Sequence, residues 1–332
     1  MAPKYNTIDV HTHWIPPQWI ELIEKEGAAN GVRVGRNERN QVTVEIPGWS
    51  YAFPKEYTNF DIRLKAMSAA RVGMHALSLA YPTVLLLSVP PAFAHQLCQV
   101  YNDALSAAHL SHPEHFLGLA SLPMQAPELA LQELERAARL PGIRGAYIAT
   151  NINGKNLDEQ CYWPIYAKCE ELELPVFLHP FKNLGAERLS KYYLMNFLGN
   201  GFDTAVAAAC LMFGGVLDAF PKLDFVLAHA GGAFPTFIGR MDHGATVRRE
   251  AKLPRPPSTY LRRFHFDTVT HSDEILMNLI RQMGADRIVL GSDHPADMSH
   301  TRPVDVVDRL TELSASDREL ILQGNAARLL KL

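Results

Sequence analysis

The chain has 332 residues, of which 47% are hydrophobic and 20% charged, with a formal net charge of −3. Those values fit a globular protein with a sizeable core and exclude a disordered or fibrous chain. Lys and Arg form no basic stripe, which argues against nucleic acid as a partner, and no apolar run is long enough to span a membrane as a helix.

The start, Met1 to Asn6, lacks the apolar segment of a secretory signal. Cys98, Cys161, Cys169 and Cys210 form no Cys-x-x-Cys pair, so reduced thiols in a cytoplasmic protein are expected.

In chain order, the first predicted strand is Ile8-Asp9-Val10-His11-Thr12-His13. Residues i and i+2 of a strand project to one side, so His11 and His13 aim two imidazoles at one point. Residues 14–57 read as an irregular insertion lying over the same end of the fold as these histidines. Within it Val42-Thr43-Val44-Glu45-Ile46 alternates between Asn40 and Pro47-Gly48, which suggests a short exposed strand or hairpin.

Beyond residue 59 the pattern becomes regular. Phe60 to Ala70 predicts an amphipathic helix ending near Gly73, and His75 to Ala80 a buried strand. A helix over 92–111, a strand from Phe116 to Leu122, a helix from Pro127 to about Leu140 and a strand from Ile143 to Ala149 follow. After a helix over 157–173, Pro175-Val-Phe-Leu-His179 is a strand ending on histidine. A long connection with a helix near 202–219 leads to Leu223-Asp-Phe-Val-Leu-Ala-His229, another strand ending on histidine. Then come a helix near 233–245, a strand at Phe264 to Val269, a helix near 273–284 and a strand from Arg287 to Asp293. Helices near 303–313 and 315–330 close the chain.

Eight strands alternating with helices imply parallel pairing through crossovers. The expected class is therefore α/β, a (β/α)8 barrel spanning residues 1–332 as one domain, with an insertion at about 14–57 and C-terminal helices. A dinucleotide fold would want Gly-x-Gly-x-x-Gly after the first strand, where His11-Thr12-His13 stands instead.

In such barrels chemistry sits at the C-terminal ends of the strands. Polar residues occupy four of them: His11 and His13 on the first strand, His179 on the fifth, His229 on the sixth and Asp293 on the eighth. Each follows an apolar run, where an ionisable side chain is costly without a partner. Together they point to a metal site. Nitrogen and oxygen donors without thiolate suit zinc first, with manganese, iron or cobalt open.

Several stretches carry a resemblance: His11-Thr12-His13, Phe-Leu-His-Pro at 177–180, Leu-Ala-His-Ala-Gly-Gly at 227–232 and Gly-Ser-Asp-His-Pro at 291–295. They resemble the amidohydrolase superfamily. Leu122-Pro-Met-Gln-Ala-Pro-Glu-Leu-Ala, the run from Gly214 to Leu223, Gly239-Arg240 and Gly324-Asn-Ala-Ala-Arg-Leu-Leu are similar to its decarboxylase branch, typified by 2-amino-3-carboxymuconate-6-semialdehyde decarboxylase.

By position, the resemblance implies His11, His13, His179 and Asp293 as ligands of one divalent metal, with His229 and Asp293 the catalytic pair and His229 the general base or acid. The strand at Gly145-Ala-Tyr-Ile-Ala-Thr-Asn lacks the lysine that carries a second metal in many relatives, which argues for one ion. Arg240 and Arg248 match family arginines that hold the substrate carboxylate, some of them from a neighbouring subunit, so a homodimer or higher homo-oligomer is expected.

Tyr51 stands where a family arginine contacts substrate, and Asp293-His294-Pro295-Ala296 replaces the family's Asp-Tyr-Pro-Phe. A smaller, more aromatic pocket follows, with Trp49, Phe181 and Phe197 as lining. The implied activity is non-oxidative decarboxylation of a small hydroxybenzoate-like or carboxymuconate-semialdehyde-like acid. A metal-dependent hydrolase of an amide, lactone, ester or C–C bond, or a hydratase, is the alternative.

Overall fold

The computed structural model describes residues 5–79, 81, 83–181 and 184–332. Eleven strands are present among them. β1 is Ile8–His13; β2 (Arg33–Arg36), β3 (Val42–Ile46) and β4 (Trp49–Ala52) follow inside the insertion. The other barrel strands are β5 (Met74–Ser78), β6 (Phe116–Ser121), β7 (Ile143–Ala149), β8 (Val176–His179), β9 (Phe225–Leu227), β10 (Phe264–Asp267) and β11 (Ile288–Val289).

The barrel strands pair in parallel in the order β1-β5-β6-β7-β8-β9-β10-β11. The ring is closed between its first and last members by Val10 N–H to the Leu290 carbonyl (3.0 Å) and Asp293 N–H to the His11 carbonyl (2.9 Å). The expected (β/α)8 barrel is therefore present. Val, Ile, Leu and Phe dominate strands buried on both faces, as crossover helices require. Register places Ala149 opposite His179 and His13 opposite Ser78, so the strand ends that carry polar side chains share one rim.

The insertion is more ordered than its sequence suggests. Pro17–Glu26 is a helix, and β2, β3 and β4 form an antiparallel sheet. Pro17 takes the first helical position, where its missing N–H costs nothing, and Trp19 and Ile23 bury one face. The Val42–Ile46 segment forms the hairpin of the two alternatives, pairing with β4 across Pro47-Gly48, but it is not exposed: Val42, Val44 and Ile46 are buried in the same core cluster as Trp19 and Phe53. Burial of each is worth roughly 1.5–3 kcal/mol, which outweighs the polar alternates Thr43 and Glu45.

Helix ends also shift. Of the expected 202–219 helix, Asn200–Phe213 forms; it stops at Gly214-Gly215 and restarts as Val216–Ala219. The 157–173 helix begins only at Trp163, and the 303–313 helix covers Pro303–Asp308. The 315–330 helix runs as Ala315–Glu319 and Asn325–Leu330 around a π-helical turn, Leu320–Gly324. Ala80, placed by sequence at the end of the second barrel strand, lies outside the described residues.

Candidate metal centre and active site

The polar strand ends converge. His11, His13, His179 and Asp293 are all buried, and one ligand atom from each lies within 4.8 Å of the others. His11 and His13 are delivered by the two-residue repeat of β1. His179 ends β8, and Asp293 follows β11 in the left-handed region (φ 65°). His229 and Ala230 are also left-handed (φ 52° and 55°). Such backbone is costly for residues with a Cβ and clusters at functional sites.

The turn after His229 needs its glycines. A Cβ on Gly232 would meet the Gly201 carbonyl oxygen at 2.2 Å, and one on Gly291 would meet the Asp267 Cβ at 2.8 Å and the His11 Cβ at 3.0 Å.

Hydrogen bonds fix which nitrogen of His11 and of His13 faces the centre. Asp267 Oδ2 accepts from His11 Nδ1 at 2.6 Å, which leaves His11 Nε2 inward and without a hydrogen-bond partner. The Ser78 hydroxyl donates to the Thr12 carbonyl (2.9 Å), so its oxygen accepts the Nδ1 proton of His13 (3.0 Å). His13 Nε2 is then a bare lone pair 2.9 Å from Asp293 Oδ1. Two acceptors at that distance repel unless a cation lies between them. Both ring nitrogens of buried His179 also lack a hydrogen-bond partner. Orphaned buried acceptors around an N3O donor set fit a divalent ion.

Electrostatics agree. Burial lowers His13 to about 4 against the pull of Asp293, and burial with the neighbouring His13 and His11 holds His179 well below its ordinary value. Both rings are neutral, as ligation requires. Burial disfavours the His11 imidazolium too, but Asp293 and Asp267 prevail and raise it to about 10. Despite burial, the charge of the neighbouring His11 keeps the Asp293 carboxylate well below the usual range.

His229 differs from this group. Its Nε2 lies 3.6 Å from Asp293 Oδ2, and its side chain is 18% exposed against 6% for His11 and 2% for His13. It faces a cavity of about 340 Å³ that it lines with Asp293, Phe197, Phe202, Val269 and His271.

The expected aromatic lining is split between two cavities. Phe197 lines the His229 cavity, whereas Trp49 and Phe181 line a neighbouring one of about 360 Å³ with Tyr81; Asn200 borders both. Phe181 packs 4.8 Å from the His179 ring. Tyr51 stacks on Trp49 and hydrogen-bonds Tyr57, whose hydroxyl senses the Asp293 charge. Arg240 and Arg248 are exposed, on the Phe234–Val247 helix and at its C-terminal cap, and line neither cavity.

Three site residues escaped the sequence reading. Asp267 ends β10 and obeys the strand-end rule that found the histidines. Ser78 had no signal beyond its place at a strand end. Tyr147 turns its ring toward the centre from the strand that lacks lysine, 5.8 Å from His179 and 6.2 Å from His13. Burial pushes its phenol well above its ordinary value. A neutral phenol there offers no anionic bridge to a second cation.

A family model described as Amidohydrolase matches residues 8–332. The chain is 33% identical over 329 residues to 2-amino-3-carboxymuconate-6-semialdehyde decarboxylase of Dictyostelium discoideum, covering 98% of this chain and 91% of that protein. It is 31% identical over 292 residues to gamma-resorcylate decarboxylase of Polaromonas sp., covering 82% and 87%. Among solved structures it superposes on dihydroxybenzoic acid decarboxylase from Polaromonas sp. JS666, with bound manganese and the inhibitor 2-nitroresorcinol. The TM-score is 0.81 at 26% identity, covering 99% of this chain and 97% of that one. With its family model spanning nearly the whole barrel, this chain belongs to the amidohydrolase family.

Proposed function

We propose that the protein is a metal-dependent, non-oxidative decarboxylase of a small planar acid, a hydroxybenzoate or a carboxymuconate-semialdehyde-like compound. The observation that carries this reading is His229 Nε2, 3.6 Å from Asp293 Oδ2 at the floor of an open cavity, beside three orientable imidazoles and no strand lysine. The names of the relatives, all decarboxylases of such acids, support it.

His11, His13, His179 and Asp293 would hold the ion. When bound, it supplies Lewis acidity toward substrate oxygens. Zinc suits the donor set, and manganese is the ion of the Polaromonas structure. The chain does the rest. His229 donates a proton to the carbon that bears the carboxylate. The C–C bond then breaks, its electron pair returns to the conjugated system, and CO2 departs. Phe197 and Phe202 wall the cavity that His229 faces and hold the planar substrate, while Trp49 and Phe181, with Tyr51 stacked behind Trp49, shape the neighbouring cavity that Asn200 borders.

We also propose a cytoplasmic homo-oligomer in which Arg240 and Arg248 reach the substrate carboxylate of a neighbouring protomer. Both are exposed, on or just beyond a helix that presents Phe237 and Val247 to the surface, apolar side chains of the kind that mark interfaces. All four cysteines are unpaired, consistent with a reducing compartment.

The test is a screen of hydroxybenzoates and carboxymuconate semialdehydes with the metal-loaded protein, monitoring CO2. Substrate loss without CO2 would replace decarboxylation with hydrolysis or hydration.

A further inference from the structure

Most polar side chains lining the His229 cavity are already engaged. Asn196 hydrogen-bonds Tyr81, the Thr270 hydroxyl donates to the Ser272 carbonyl, and His229 faces Asp293. His229 Nδ1 is also without a hydrogen-bond partner but is buried, whereas at His271 neither ring nitrogen has one among the described residues and the residue is exposed.

Its placement is built rather than accidental. His271 sits in the left-handed region at φ 55°. That backbone is uncommon for a residue with a Cβ and is held only where the surroundings over-determine it. Here Thr270 N–H donates to the Thr268 carbonyl on one side, and Ser272 caps the Asp273–Met283 helix on the other. The His300 ring packs against His271 at 4.4 Å between centroids and 33° between planes. His300 N–H donates to the Ser292 carbonyl at 2.8 Å, which ties the pair to the loop that carries Asp293.

We propose that His271 is a specificity residue, held in place by His300, that hydrogen-bonds a hydroxyl or carbonyl oxygen on the substrate ring away from the scissile carboxylate. The proposal rests on the decarboxylase reading of the same cavity and names a feature of its substrate. The carboxylate end is set by His229 and Asp293, which line the same cavity. The flanks at Phe197, Phe202 and Val269 are apolar. His271 lines the same cavity with both ring nitrogens unpaired among the described residues, so a polar group on the ring away from the carboxylate finds its partner there.

The test compares binding of 2,4-dihydroxybenzoate and 2-hydroxybenzoate to the full-length, metal-loaded protein by titration calorimetry. The two acids differ only in the ring hydroxyl opposite the carboxylate. The wild type should prefer the dihydroxy acid by roughly three- to tenfold, the worth of one neutral hydrogen bond. His271→Gly, which removes the donor and accepts the positive φ, should abolish that preference and leave 2-hydroxybenzoate binding unchanged. His271→Asn keeps a donor and tolerates the same backbone, so it should retain part of the preference. His300→Ala should weaken it without touching 2-hydroxybenzoate.

A wild type with no preference, no binding of either acid, or a preference that survives His271→Gly overturns the proposal. CO2 release, assayed separately, tests the activity. A protein that shows the full binding pattern but releases no CO2 from any acid would refute the decarboxylase reading and leave the role of His271 standing.

Discussion

Asp267 Oδ2 lies 2.6 Å from His11 Nδ1, and the same carboxylate accepts the backbone N–H groups of His229 (2.9 Å) and Ala230 (2.7 Å). One buried residue thus sets the tautomer of His11, a proposed metal ligand, and the position of His229, the proposed proton donor. Asp267→Ala should lower metal affinity by about 10- to 100-fold, the usual cost of losing such a partner. Competition against a chelator measures it, and unchanged affinity would show that His11 is oriented without Asp267.

Metal binding should expel a proton. In the metal-free protein His11 is held near pH 10 by Asp293 and Asp267, so at pH 7 it is protonated, and it must be neutral to ligate. Apparent affinity therefore rises with pH below that value, with about one proton released per ion. His13 and His179 add nothing to the release, since burial already keeps them neutral. Calorimetry in buffers of different ionisation heat gives the count, and zero protons at pH 7 would contradict a protonated His11 in the metal-free protein.

His229→Ala should keep its metal and lose turnover by about 10²- to 10⁴-fold, the range for one general acid. Metal content by mass spectrometry and CO2 release are read on the same sample. Wild-type turnover would remove His229 from the chemistry.

The subunit arrangement has its own test. If Arg240 serves the neighbouring site, Arg240→Ala and His229→Ala are each nearly inactive alone, yet their co-refolded mixture regains activity, because one site in the hybrid holds both residues. No recovery in a proven hybrid would place Arg240 outside the site.

Much of this was legible in the sequence because barrel strands are short and their ends are punctuated. Val-Phe-Leu-His179 and Ile-Val-Leu-Gly-Ser-Asp293 combine burial with one polar residue at the rim, and both elements and ligands follow from that contrast. Asp267 has the same signature in Phe264-His-Phe-Asp, but the strand continues in sequence through Thr268-Val269, which hides its end. The helix at Pro17–Glu26 was hidden by Pro16-Pro17, which reads as a break although proline opens a helix well. The division of Trp49 and Phe181 from Phe197 was not legible at all. It depends on how the 195–200 turn packs between two cavities, a tertiary relationship with no sequence period.

The most direct measurement is CO2 release from a carboxyl-labelled hydroxybenzoate or carboxymuconate semialdehyde. It is followed in the metal-loaded protein, after chelation, and after reconstitution with zinc or manganese. The account predicts one labelled CO2 per substrate consumed, loss of release on chelation and recovery on adding the ion. Full release from a demonstrably metal-free sample, or substrate consumption with the label retained in the product, would contradict it.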